Sequence, residues 1–112
     1  MPDAKWKAFE RDVAAMIAGK RYPANSGHDI DCEGPTTVAQ CKLVSRLSLE
    51  ELTRLAENIS AQGAALAKTG IVVVKQKRGM GNKSPALVVV TMETWQRFMS
   101  QAWANVAAAG AP

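Results

Sequence analysis

Residues 28–43 read HDIDCEGPTTVAQCKL, and the fold turns on how this stretch divides. From His28 to Glu33 the chain alternates: Ile30 and Cys32 are apolar, while Asp29, Asp31 and Glu33 are acidic. A period of two predicts a half-buried strand with the three acids on one face. Gly34-Pro35 supplies turn chemistry. Thr36 to Leu43 then predicts a second strand, paired with the first as a hairpin. With Cys32 and Cys41 turned into the core, Asp31, Gln40 and Lys42 are expected to emerge together on the opposite side.

Upstream, Asp3 to Ala18 predicts an amphipathic helix. Trp6, Phe9, Val13, Met16 and Ile17 fall on one stripe at about 100° per residue, with Gly19 as the stop. Residues 20–27, KRYPANSG, predict a loop. Downstream, Ser48 and Glu51 match a capping box and open a helix running to about Lys68, its core face supplied by Leu49, Leu52, Leu55, Ile59 and Leu66. Ile71 to Val74 predicts a buried strand, Gln76 to Pro85 a basic loop and Ala86 to Val90 a further strand. Thr91 caps a last helix carrying Met92, Trp95, Phe98, Met99 and Trp103, and the final residues, AAAGAP, are expected to fray. The predicted order is α-β-β-α-β-β-α. That is an α/β fold with a mixed sheet of about four strands flanked by helices.

The chain has 112 residues, which is one domain spanning 1–112. Apolar residues at 47% and charged residues at 21% exclude intrinsic disorder and a disulfide scaffold. No apolar run approaches the roughly 18–20 residues of a membrane span. The opening MPDAKWKAFERD lacks the apolar block of a signal peptide, so a cytoplasmic protein without membrane partners is expected. Cys32 and Cys41 lack CxxC spacing and a histidine cluster, which argues against zinc and for reduced core thiols.

The net charge is +4, and its distribution is informative. Between Asn58 and Met92 lie Lys68, Lys75, Lys77, Arg78 and Lys83 and no acid, whereas Asp29, Asp31 and Glu33 crowd into one short stretch. A tight acidic group beside a basic, acid-free region suggests a metal site next to a polyanion. Glu10 falls at the margin of the first helix's apolar stripe, where a carboxylate either reaches solvent or takes a partner. Mg²⁺ binds hard oxygens, usually one or two carboxylates plus waters. Asp31 and Glu10 are the candidate carboxylates, with Gln40 and the backbone carbonyl of Cys41 as neutral oxygens. Mn²⁺ is expected to substitute. Lys42 would place a positive charge where an attacked phosphate develops negative charge. Together these are the parts of a phosphodiester-hydrolysing site, with no small-molecule cofactor. Asp29 and Glu33 read as a solvated face, and His28 as incidental.

The ordered set Glu10, Asp31, Gln40-Cys41-Lys42 resembles the PD-(D/E)xK nuclease superfamily. Its small size, helical Glu10 and loop Asn25-Ser26-Gly27 ahead of the acidic strand are similar to Holliday junction resolvases of archaeal and phage type. The resemblance implies a restriction-endonuclease-like core and a Mg²⁺-dependent endodeoxyribonuclease cutting four-way DNA junctions in a bacterial, archaeal or phage-infected cell. It implies catalytic roles for Glu10, Asp31, Gln40 and Lys42, and a DNA contact for Ser26 and its neighbour Asn25. Gln40 departs from the common Glu and matches the Gln-x-Lys of the Mrr-like branch. That keeps two alternatives open: a duplex- or flap-directed nuclease, or a nuclease-fold module that binds DNA without cutting it.

Lys77, Arg78 and Lys83 sit among glycines that let a backbone approach phosphate, and Lys20, Arg21 and Arg46 extend the candidate DNA surface. A four-way junction has two-fold symmetry, so a homodimer is expected. The Trp95, Phe98, Met99 and Trp103 stripe reads as core or dimer interface rather than a base-stacking platform.

Overall fold

The computed structural model describes residues 5–22, 29–78 and 83–110. Helix α1 (Lys5–Met16) forms along the first predicted stripe, but its buried residues are Phe9, Val13 and Ala14. Trp6 and Met16, expected in the core, are exposed. The helix ends at Ala18, whose φ of 55° is left-handed. There Gly19 N–H reaches the Ala14 carbonyl at 2.8 Å and Ala18 N–H reaches Ala15 at 3.2 Å, the paired bonds of a Schellman cap.

Lys20–Arg21 forms a short strand, β1, where a loop was expected. It pairs antiparallel with β2 (Cys32–Glu33), Lys20 opposite Glu33 and Arg21 opposite Cys32. The predicted strand over 28–33 is therefore shorter, because residues 29–31 are gripped by side chains and single bonds rather than a regular ladder. Strand β3 (Thr37–Val44) pairs antiparallel with β2 and parallel with β4 (Thr69–Gln76). Between them runs α2 (Leu49–Ala65), capped by Ser48, whose Oγ accepts the Glu51 N–H at 3.1 Å. The sheet closes with β5 (Ala86–Val89), antiparallel to β4, followed by α3 (Met92–Ala108). Strand order is β1-β2-β3-β4-β5, so the sheet is mixed and has five strands rather than about four.

Helices α1 and α2 cover opposite faces. On one, Phe9, Val13 and Ala14 pack on Cys32, Ala39, Ile71 and Val73. On the other, Leu55, Ala56 and Ile59 pack on Ile30, Val38 and Val72. Successive residues of β3 and β4 thus serve alternate cores, as Val38 and Ala39, and Ile71, Val72 and Val73, show. Helix α2 lies so close to β4 that a Cβ on Gly70 would run into the Ile59 carbonyl. Leu49 and Leu66, expected on the core face of α2, are exposed at its ends.

Candidate metal and nucleic-acid site

Asp31 sits where β2 stops pairing with β3. Its N–H donates to the Ala39 carbonyl at 2.9 Å, its carbonyl accepts from Tyr22 N–H at 2.8 Å, and its Oδ2 accepts the Cys41 N–H at 2.7 Å. The carboxylate replaces the missing strand as partner for β3: two bonds fix the Asp31 backbone and one its side chain. Within a strand, a residue's N–H and C=O point to the same side. The Cys41 carbonyl therefore faces the same gap as Asp31, beyond the last pairing of β2 with β3. Burial raises the Asp31 carboxyl above its ordinary range. The Cys41 N–H opposes this, the Glu10 charge adds to it, Lys42 opposes it and Asp29 adds to it. Glu10 and Lys42 are thus both electrostatic neighbours of Asp31.

Glu10 is half-buried on α1, and its Oε1 accepts from Arg21 Nε at 3.0 Å. The Arg21 guanidinium lies 5.9 Å from the Trp6 ring centroid. Arg21, expected to touch DNA, is thus already held by an acid and an aromatic face. One turn of α1 also meets the hairpin directly, where Cys32 Sγ donates to the Glu10 carbonyl at 3.3 Å.

Gln40 does not emerge on a surface. It is 8% exposed, and its Oε1 is buried without a hydrogen-bond partner among the described residues. By alternation it lies on the α2 face with Val38, as does the half-buried Lys42, whereas Glu10 comes over the α1 face. Gln40 is flanked by Ala39 and Cys41, the two residues whose backbone groups Asp31 grips. Asp31 is therefore the point common to both faces.

The remaining acids do other work. Glu33, read as part of a solvated face, is half-buried and accepts from the Tyr22 hydroxyl and the Lys68 ammonium. Asp29 Oδ2 accepts from Gln62 Nε2 on α2 at 3.0 Å. Asp29 is also an electrostatic neighbour of Asp31, whereas Glu33 is taken up by Tyr22 and Lys68. Sequence patterning missed Tyr22, Lys68 and Gln62 as partners, since nothing local marks a contact made across 11 to 35 positions.

Both thiols are free, as expected. Cys32 is fully buried, and Cys41 is half-buried beside it. A hydrogen bond with Cys32, reinforced by burial, pushes the Cys41 thiol far up, so it stays protonated.

The donor set suits a hard cation in part. Among the described residues no group of three or more His, Cys, Asp or Glu side chains is placed to hold a metal. Asp31 and Glu10 are carboxylates near enough to feel each other's charge and, with the Cys41 carbonyl, are the oxygen donors of the type Mg²⁺ takes, whereas the unpartnered Gln40 oxygen lies on the α2 face, away from Glu10. The competing feature is the Arg21 guanidinium on Glu10.

The candidate DNA residues divide. Lys20 is exposed on β1; Arg46, Lys77, Arg78 and Lys83 are exposed at the carboxyl ends of β3 and β4 and the start of the β5 connection. Lys77 N–H donates to the Val44 carbonyl at 2.8 Å, which joins these strand ends. Arg78 Nη1 donates to the Lys83 carbonyl at 2.8 Å, tethering the base of the connection. Lys42, opposite Val74, lies toward the same end of the sheet. Asn25, Ser26 and His28 lie outside the described residues.

No protein-family model, curated protein or solved structure matches the chain. Among the described residues no helix is long and apolar enough to cross a membrane.

Proposed function

We propose that this chain is a divalent-metal-dependent endodeoxyribonuclease with a restriction-endonuclease-like core, acting on branched DNA as a four-way junction resolvase. The observation that carries the reading is the Asp31–Cys41 clasp: a half-buried carboxylate with a raised pKa, with an acid (Glu10) and an ammonium (Lys42) as electrostatic neighbours. A carboxylate that is costly to ionise alone is a natural seat for a cation. When bound, Mg²⁺ would supply Lewis acidity toward a phosphate oxygen and a more acidic water. The chain's own residues hold and orient: Asp31 is immobilised by the β3 backbone, and Lys42 offers charge to a phosphorane oxygen. The exposed cations Arg46, Lys77, Arg78 and Lys83 lie at the same end of the sheet and suit a phosphate backbone. A cytoplasmic setting in a bacterial, archaeal or phage-infected cell goes with this reading.

A non-cleaving DNA-binding module is the second reading. It is favoured by the Arg21–Glu10 ion pair, which already satisfies one of the two carboxylates, and by neutral Gln40. The deciding experiment is nicking of a synthetic four-way junction in Mg²⁺ or Mn²⁺, beside linear duplex and flap of matched sequence, with Asp31→Asn and Lys42→Ala as controls. Junction nicking lost in both variants supports the resolvase. Cleavage of duplex or flap in preference to the junction points to an Mrr-like or flap-directed enzyme. Tight binding without nicking in either metal leaves the binding module.

A further inference from the structure

Arg21 touches two groups of opposite character. Its Nε donates to Glu10 Oε1 at 3.0 Å, and its guanidinium lies 5.9 Å from the centroid of the Trp6 ring. The Glu10 side chain is 13% exposed and Trp6 42%, so the arginine stands between a part-buried acid and an aromatic ring open to solvent. Register explains the placement. Arg21 is opposite Cys32, on the α1 face, whereas Tyr22 packs on the α2 side. Trp6, expected in the core, is occupied instead by this cation and by Lys7, whose Nζ lies 5.5 Å from the same centroid. Glu10 is also the acid whose charge bears on Asp31. In the free chain Arg21 therefore neutralises Glu10, as a divalent cation would. A guanidinium fork fits phosphate as well as it fits a carboxylate, so a phosphate can compete with Glu10 for it.

We infer that the Arg21–Glu10 pair is a latch on the candidate metal site, opened when a phosphate of a nucleic-acid backbone draws Arg21 outward along Trp6, so that cation and nucleic acid bind cooperatively. The latch rests on the reading of Glu10 and Asp31 as cation ligands. Charge decides the coupling. With Arg21 drawn away and no cation, Glu10 is a part-buried carboxylate left unpaired near Asp31, which is costly. With a cation on Glu10 and no phosphate, the guanidinium is left against a second positive charge. Each ligand alone meets one of these costs. Both together meet neither, because phosphate takes the arginine and the cation takes the acid. By linkage, nucleic acid raises the affinity for the cation by the factor by which the cation raises the affinity for nucleic acid. Trp6 keeps the guanidinium in contact with the protein as it leaves Glu10. Lys7, over the same ring, and Lys20, next in the chain, are exposed and strengthen the outward pull on an anion.

Two titrations of the full chain test the latch. In the first, Mn²⁺ is titrated calorimetrically into metal-free protein without DNA. Arg21→Gln should bind Mn²⁺ at least about tenfold more tightly than wild type, because the competitor for Glu10 is gone. Lys7→Gln removes a charge from the same ring without touching Glu10 and should shift the affinity less than about twofold. In the second, a fluorescent four-way junction is titrated with protein in chelator and in Ca²⁺, a hard cation that seeks oxygen as Mg²⁺ does. Ca²⁺ should tighten wild-type binding at least about fivefold and leave Arg21→Gln nearly unaffected; its action on the DNA itself is common to both proteins and cancels. Glu10→Gln frees Arg21 from the other side. It should bind the junction more tightly than wild type in chelator and gain nothing from Ca²⁺, which keeps the test decisive if Arg21→Gln does not fold. Unchanged or weaker Mn²⁺ binding in Arg21→Gln, an equal Ca²⁺ gain in wild type and variants, or a wild-type chain that takes up Mn²⁺ but no junction would overturn the latch. Asp31→Asn tells this apart from failure of the site. Mn²⁺ binding that needs Asp31 but ignores Arg21 removes the latch alone, whereas no Mn²⁺ binding in any variant removes the metal site and the latch with it.

Discussion

The carboxylate of Asp31 takes the place of a strand: its Oδ2 accepts the Cys41 N–H at 2.7 Å, just beyond the last residue at which β2 pairs with β3. One side chain thus ends a ladder and stands at the boundary between the two faces of the sheet. Its replacement separates structure from chemistry. Asp31→Asn keeps an acceptor for the amide and should cost under about 1.5 kcal/mol. Asp31→Ala leaves a part-buried N–H unpaired and should cost about 1–3 kcal/mol. Urea melts of the metal-free protein give both values, and equal costs would mean that the clasp does not form in solution.

Because burial first, and then Glu10, raise the Asp31 carboxyl, the folded chain holds this proton more tightly than the unfolded chain does. Stability from this group is therefore greatest below the unfolded value, about pH 4, and falls as pH rises through the raised folded value. Asp31→Asn removes the effect. The stability of the variant relative to wild type should increase between pH 4 and neutrality in chelator. Saturating Mg²⁺, by favouring the carboxylate, should shrink the difference. A gap that stays constant with pH would show that Asp31 is not desolvated.

Gln40 buries an oxygen that nothing in the described chain satisfies. Gln40→Met conserves length and removes the orphan, so the metal-free protein should gain about 1 kcal/mol while divalent-cation binding weakens. Gln40→Glu should do the reverse: lose about 1–3 kcal/mol in chelator through a third carboxylate near Asp31, and recover it with Mg²⁺ or Mn²⁺. Thermal melts with and without metal read both outcomes. If Gln40→Met is destabilising, the amide is a structural group and not a ligand held in reserve.

Helix α2 ends as α1 does, with an alanine in the left-handed region. Ala67 has φ 56°, while Lys68 N–H reaches the Gly63 carbonyl at 2.8 Å and Ala67 N–H reaches Ala64 at 3.0 Å. Alanine there carries a steric penalty that glycine does not. Ala67→Gly should stabilise the fold by about 0.5–1 kcal/mol, with a melting temperature higher by about 2–4 °C. An unchanged or lower melting temperature would mean that the entropy of glycine in the unfolded chain offsets the relief.

Much of the architecture was legible in short-range patterns. Ser48 and Thr91 cap the helices they were expected to cap, because a hydroxyl before an apolar-periodic run acts within three residues. Strand β3 follows from the Gly34-Pro35 turn that precedes it, and β4 and β5 from apolar runs between turn signals. Strand β1 was hidden, because Lys20 and Arg21 carry no strand pattern and pair only once β2 is beside them. The extent of β2 was overread for the opposite reason: the alternation of 28–33 is genuine, but Asp31 and Asp29 bond to β3 and α2 by side chain instead of continuing the ladder.

Residue chemistry along the chain was enough to specify an α/β chain with crossover helix α2, two core thiols and a basic end. Which carboxylates stand together was settled through space. Glu33 is taken up by Tyr22 and Lys68, and Glu10 by Arg21, while Asp31 has Glu10, Lys42 and Asp29 as its electrostatic neighbours. Periodicity reports which face a side chain occupies, a property of a few adjacent residues. An ion pair depends on the distance between segments that only packing brings together, and no local pattern encodes that distance.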